Sequence, residues 1–115
     1  MSRDISYLLD ILLYARDARD FTAGMDKETF LFDNKSQYAV IRCFEVIGEA
    51  VKRLSDDVIK AHPGIPWASM AKMRDILIHA YDRVDLDEVW DTVQNDIPGL
   101  ISFIEGIVPP DEAEK

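Results

Sequence analysis

Residues 62 to 66 read His62-Pro63-Gly64-Ile65-Pro66, and no regular element passes through them. Two prolines fix their backbone torsions and remove donors, while the glycine between them favours a turn. On both sides of this break apolar residues recur three and four apart, and nowhere do they alternate over the length of a strand. The chain is therefore restricted to helices that pack on one another across a strong interruption. Ile5, Leu8, Leu9, Leu12 and Ala15 mark an amphipathic helix over about 5–21, closed by Thr22-Ala23-Gly24-Met25 with Gly24 as its left-handed cap. A connector over 26–33 carries Phe30, Leu31 and Phe32. A second helix begins at Asn34 or Ser36 and continues to about Leu54, with Tyr38, Ile41, Phe44, Ile47 and Val51 at helical spacing, so it lies centrally. Gly48 in its middle costs ~1 kcal/mol against Ala, which implies that another backbone or side chain comes close there.

Ser55-Asp56-Asp57 caps a short third helix ending near His62. Pro66 suits the first turn of a fourth helix, where a missing N–H has no helical partner to lose, and that helix runs to about Tyr81. Asp85 with Glu88 three residues on is a capping-box variant opening the last helix through Val89, Trp90 and Val93. Pro98 should kink it before Leu100, Ile101, Phe103, Ile104 and Ile107 resume the pattern. The expected fold is all-α, a four- to five-helix bundle in one domain over 1–108, with 109–115 as a short acidic tail that frays. Trp67 and Trp90 are expected as core or interface anchors, and Tyr7, Tyr14 and Tyr38 as packing residues.

With 115 residues there is room for one core. No segment approaches the ~20 uninterrupted apolar residues needed to span a bilayer, and the N-terminus does not read as a signal peptide, so the expected compartment is the cytoplasm. Cys43 is the single cysteine and lies in an apolar run, which excludes disulfide scaffolds and cysteine zinc sites. The two histidines are far apart in sequence without ligand spacing, so no metal and no cofactor are expected. A net charge of -9 opposes non-specific binding to nucleic acid, so any RNA site must be local. Arg42, Lys52, Arg53, Lys72, Arg74 and Arg83 supply a concentration of positive charge, and the acidic run from Asp85 to Asp91 suits a basic partner protein.

The densest chemistry is Arg74-Asp75-Ile76-Leu77-Ile78-His79-Ala80-Tyr81. A guanidinium fork matches phosphate oxygens, an imidazole takes and returns protons near neutrality, and a phenol adds a hydroxyl that binds or is modified. Met70, Met73, Leu77 and Ala80 assign the core face of this helix, with Arg74 and Tyr81 seven residues apart on one side of it. His79 does not join them, because five residues at ~100° each place it ~140° around from Arg74. Either the helix ends or bends near His79, or a second copy of the chain completes the site across a two-fold interface. The dimer is the preferred solution.

Arg74, His79 and Tyr81 form an Arg-x4-His-x-Tyr pattern that resembles the motif of HepT-like toxins, a branch of the HEPN superfamily of small helical ribonucleases. Phe44 to Ala50, Ile65-Pro66-Trp67, Met73-Arg74-Asp75, Val84-Asp85 and Val89-Trp90 are similar to the same family in the same order, over roughly the whole domain. Asp75 stands where many other HEPN proteins carry Asn, although Arg-Asp is common in this branch. The resemblance implies a metal-independent endoribonuclease that acts as a homodimer on an RNA substrate. It also implies a partner antitoxin with a minimal nucleotidyltransferase fold, able to transfer AMP to the motif tyrosine, here Tyr81. Arg74 and His79 would be catalytic. Asp75 either orients Arg74 or faces water, and Glu49 either approaches the motif from the second helix or is a solvated carboxylate.

Two other readings suit the same residues. One keeps the fold and the dimer but makes the chain a non-catalytic helical adaptor for a nucleotidyltransferase, a reading that the acidic charge favours. The other treats Arg74 to Tyr81 as capping and packing only.

Overall fold

The computed structural model describes residues 2–113, apart from the side chains of Ser2, Tyr81 and Ala113. Its elements are α1 (Ser2–Phe21), α2 (Lys27–Leu31), α3 (Asn34–Arg53), α4 (Asp56–Ala61), α5 (Trp67–His79), a 3-10 turn (Tyr81–Arg83), α6 (Leu86–Asn95), α7 (Ile97–Ile107) and α8 (Pro110–Ala113). There is no strand among the described residues, and the all-α bundle expected from the periodicity is what forms. No helix among them is long and apolar enough to cross a membrane.

α3 is the axis of the molecule, with α1 on one side and α5 on the other, while α7 closes over α1 and α6 packs on α7 and α2. Small residues bring α1 inward: Ala15 and Ala18 are fully buried beside Ile11 and Leu12. α1 runs antiparallel to α3, because Asp4 near its start accepts hydrogen bonds from the backbone N–H (2.9 Å) and hydroxyl (2.8 Å) of Ser55, just beyond the end of α3. Phe30, from the connector, is fully buried against Trp90 with ring centroids 5.4 Å apart. The Gln37 amide is buried and donates to the Phe30 carbonyl at 2.9 Å, so the α2–α3 turn keeps a satisfied acceptor inside the core.

The caps follow the sequence at most ends. Gly24 takes φ +77 after α1, Ser55 accepts from Val58 N–H at the start of α4, and Asp85 accepts from Asp87 and Glu88 N–H at the start of α6. The break at 62–66 is tied across by the Trp67 indole N–H, which donates to the His62 carbonyl at 2.9 Å. Cys43 is buried, and burial pushes its thiol up to about 11.

Three details differ from the sequence reading, and a fourth sharpens it. Pro66 is the N-cap of α5 rather than a residue of its first turn. The kinked pair expected at Pro98 forms as two helices: α6 ends at Asn95, and Asp96, still in the αR region, is at once its C-cap and the N-cap of α7. Pro98 lies in the first turn of α7, where its nitrogen has no helical partner to lose. Tyr38 is exposed (69%), not packed, because nine residues at ~100° each place it about 180° around α3 from the buried Ile47. Finally, where fraying was expected after residue 108, Pro110–Ala113 form the short α8 against α1; residues 114 and 115 lie outside the described set.

Candidate active site

Gly48 determines how Arg74 sits. A β-carbon on Gly48 would overlap the Arg74 Cβ and come within 2.9 Å of both the Arg74 Cγ and the Met70 carbonyl oxygen. α3 and α5 touch backbone to side-chain stem at this point, and the aliphatic part of Arg74 lies across the space a side chain would fill. The close approach inferred from a mid-helix glycine is thus made by Arg74 itself.

The guanidinium emerges between two carboxylates. Its Nη2 pairs with Glu49 Oε1 at 3.1 Å, and its Nη1 donates to Asp75 Oδ1 at 3.1 Å. Lys52 Nζ donates to the same Asp75 oxygen at 3.0 Å, and Arg53 Nε donates to Glu49 Oε2 at 2.9 Å. Hydrogen bonds from Lys52 and then Arg74 hold the Asp75 carboxyl below its ordinary value of 3.8. The Arg53 hydrogen bond, with Arg74 nearby, does the same for Glu49 from 4.5. Both carboxylates stay charged, and three cations against two anions leave one net positive charge in the cluster. Arg74 Nε is buried without a hydrogen-bond partner among the described residues. The fork has five N–H donors, so the two terminal nitrogens each retain one beyond those given to Glu49 and Asp75.

Of the alternatives open for Asp75 and Glu49, the geometry selects contact with Arg74 for both. Lys52 and Arg53 entered the sequence reading only as part of a basic concentration. Their position three and four residues after Glu49 on α3 puts them on its face, and that spacing was the available signal.

His79 is the last residue of α5 and is exposed. α5 stays helical through it, so the ~140° separation from Arg74 holds, and with Arg74 turned toward α3 the imidazole is directed away from the bundle. α5 ends at His79, two residues before the end expected at about Tyr81. Ala80 leaves helical torsions (φ -142, ψ 44), its N–H closing on Ile76 O, and Tyr81 begins the 3-10 turn. The tyrosine side chain lies outside the described set. Among the described residues no three His, Cys, Asp or Glu side chains are grouped to hold a metal ion.

A family model described as "Ribonuclease HepT-like" matches residues 11–107, and the chain belongs to that family. It is 47% identical over 109 residues to "Putative RNase MJ0127" of Methanocaldococcus jannaschii, covering 95% of this chain and 90% of that protein. It is 50% identical over 94 residues to "Probable ribonuclease HepT" of Thermococcus cleftensis, covering 82% and 86%. A more distant relative, "Putative RNase TTE0752" of Caldanaerobacter subterraneus, is 35% identical over 102 residues, covering 89% and 91%. No solved structure matches the chain significantly.

Proposed function

We propose that this chain is a metal-independent endoribonuclease and the toxin of a two-gene toxin-antitoxin pair, acting in the cytoplasm as a homodimer. The observation that carries the reading is the placement of Arg74: held at 3.1 Å by Glu49 and by Asp75, its fork is fixed before any substrate arrives, five residues ahead of an exposed His79. A preorganised cation costs no reorganisation when charge develops on a phosphate.

The chemistry needs only these residues and RNA. His79 takes the proton of a ribose 2′-hydroxyl, the 2′-oxygen attacks the adjacent phosphorus, and the bond to the 5′-oxygen breaks as that oxygen gains a proton. The products are a 2′,3′-cyclic phosphate and a 5′-hydroxyl. Arg74 meets the five-coordinate phosphate through its remaining N–H donors. Because His79 and Arg74 diverge around α5, a second copy supplies the missing partner, one chain giving base and the other acid.

Neutralisation would come from a minimal nucleotidyltransferase antitoxin. Attack of the Tyr81 phenol oxygen on the α-phosphorus of ATP releases pyrophosphate and leaves AMP on the tyrosine. That adds bulk and negative charge two residues after His79. Adenylylated protein that still cleaves RNA at the parent rate would contradict this mode of inhibition.

A second reading, a non-catalytic adaptor for the nucleotidyltransferase, is favoured by one observation: the net charge of -9. To separate the two, adduct-free protein is incubated in EDTA with a short RNA carrying a single 2′-deoxy residue, beside the all-ribose form. The nuclease reading expects cyclic phosphate ends at one bond and loss of that cut when the 2′-hydroxyl before it is missing. Intact RNA in both lanes, with tight partner binding, supports the adaptor.

A further inference from the structure

α5 packs on α3 and is open on its other flank, toward α6. A cavity of about 410 Å3 lies there, lined among others by Ser69, Lys72, Ile76 and Arg83. A second, of about 320 Å3, shares Ser69, Met73 and Glu88 with it and is walled by apolar residues including Phe44, Ile47 and Leu100. Glu88 therefore stands at the junction of the two chambers, the first carrying Lys72 and Arg83 beside Asp85 and Glu88, the second Asp96 beside its apolar wall.

The two cations of the first chamber have no ion-pair or hydrogen-bond partner among the described residues, whereas Arg16, Arg19, Lys27, Arg42, Lys52, Arg53 and Arg74 are all paired. Arg3, Lys35 and Lys60 are unpaired as well, but line neither chamber. Asp85 also lines the first chamber, yet its carboxylate is committed to the Asp87 and Glu88 N–H groups as the cap of α6. Glu88 lies in the first turn of α6, where the helix dipole favours its charge, and it repels an anion from the junction. Lys72 and His79 are seven residues apart on α5, about 10 Å along its axis and nearly in line.

We infer that these chambers form a nucleotide subsite for single-stranded RNA, with a backbone phosphate between Lys72 and Arg83 and the attached base against the apolar wall beyond Glu88. This deepens the ribonuclease reading and rests on it for the choice of RNA. Its place is beside the bond being cut, on the flank of α5 that carries His79 rather than the one that carries Arg74. Phosphate contacts of this kind fix the register of the strand and leave sequence choice to the base.

The test uses the full chain and a fluorescein-labelled, fully 2′-O-methylated RNA dodecamer, which has no nucleophile and cannot be cut, with binding read by anisotropy at several salt concentrations. The Lys72→Ala/Arg83→Ala double variant is expected to bind about tenfold or more weakly, with a salt slope shallower by ~0.7 for one lost single-strand phosphate contact. Lys35→Ala/Lys60→Ala removes the same charge elsewhere and is expected to bind closer to the parent, with thermal melting confirming that both variants fold. Equal losses in the two double variants, equal affinity of the Lys72→Ala/Arg83→Ala variant and parent, or no binding by the parent, overturns the subsite. Selective weakening in a protein that leaves all-ribose RNA intact upholds the subsite and overturns the nuclease reading. Cleavage by the parent with unchanged binding by the Lys72→Ala/Arg83→Ala variant does the reverse.

Discussion

Gly48 of α3 lies directly under Arg74 of α5, so close that any β-carbon on Gly48 would occupy the position of the arginine's own stem. The glycine gives up ~1 kcal/mol of helix propensity, and in return the two helices meet at a distance that sets the guanidinium between Glu49 and Asp75. Replacing Gly48 with Ala should therefore destabilise the chain despite alanine's better propensity. The obstacle includes the backbone carbonyl of Met70 at 2.9 Å, which cannot swing aside as a side chain would. Overpacking of this kind costs about 1–3 kcal/mol, and urea denaturation of the variant would measure it. A variant as stable as the parent would mean that α5 shifts freely on α3.

The clamp on Arg74 makes a graded prediction. Arg74→Ala should lower RNA cleavage by about 10²–10³, the usual effect of removing one transition-state charge stabiliser. Arg74→Lys should recover little, since an ammonium cannot hold Glu49, Asp75 and a phosphate in one plane. Asp75→Asn and Glu49→Gln leave the arginine in place but free to turn, and should each cost about tenfold. Initial rates on one RNA, at matched protein folding, separate these cases; full activity of both carboxylate variants would show that the clamp is not needed.

Acid should loosen the fold through a small set of carboxylates. Asp4 is held below its ordinary 3.8 by the Ser55 backbone N–H and then its hydroxyl, Asp75 by Lys52 and Arg74, and Glu49 below 4.5 chiefly by Arg53. A folded value below the unfolded one gives stability that is complete above the unfolded value and is lost as pH falls through the folded one. The contribution is thus present above about pH 5 and disappears progressively below 3.8. Melting temperatures across that window should fall less steeply for Asp4→Asn, which has no charge left to neutralise, than for the parent. Parallel curves would remove Asp4 from the account.

How much of this was legible beforehand depended on whether a feature was local. Helix periods, the caps at Gly24, Ser55 and Asp85, and the break at 62–66 are written in neighbouring residues, and the structure reproduces them. The exposure of Tyr38 was legible but misread: nine residues at ~100° each place it about 180° around α3 from the buried Ile47, although it lies only three residues from Ile41. Pro98 marks a kinked pair, and the structure divides that pair at Asp96. At the site, the spacing of Arg74 and His79 gave their divergence, and Gly48 gave a close approach without naming its partner. The end of α5 at His79 was one of two outcomes considered. The division of the basic residues into an Arg74 cluster and a Lys72–Arg83 groove depends on opposite flanks of α5, which a count of positive charges along the chain does not resolve.

The account stands or falls on His79, an exposed residue whose removal should change stability by no more than about 0.5 kcal/mol. The direct measurement compares parent and His79→Ala proteins, matched in melting temperature and dimerisation, for cleavage of the same RNA in EDTA. The account predicts cut RNA with cyclic phosphate ends from the parent and intact RNA from the variant. Equal cleavage by both would contradict it.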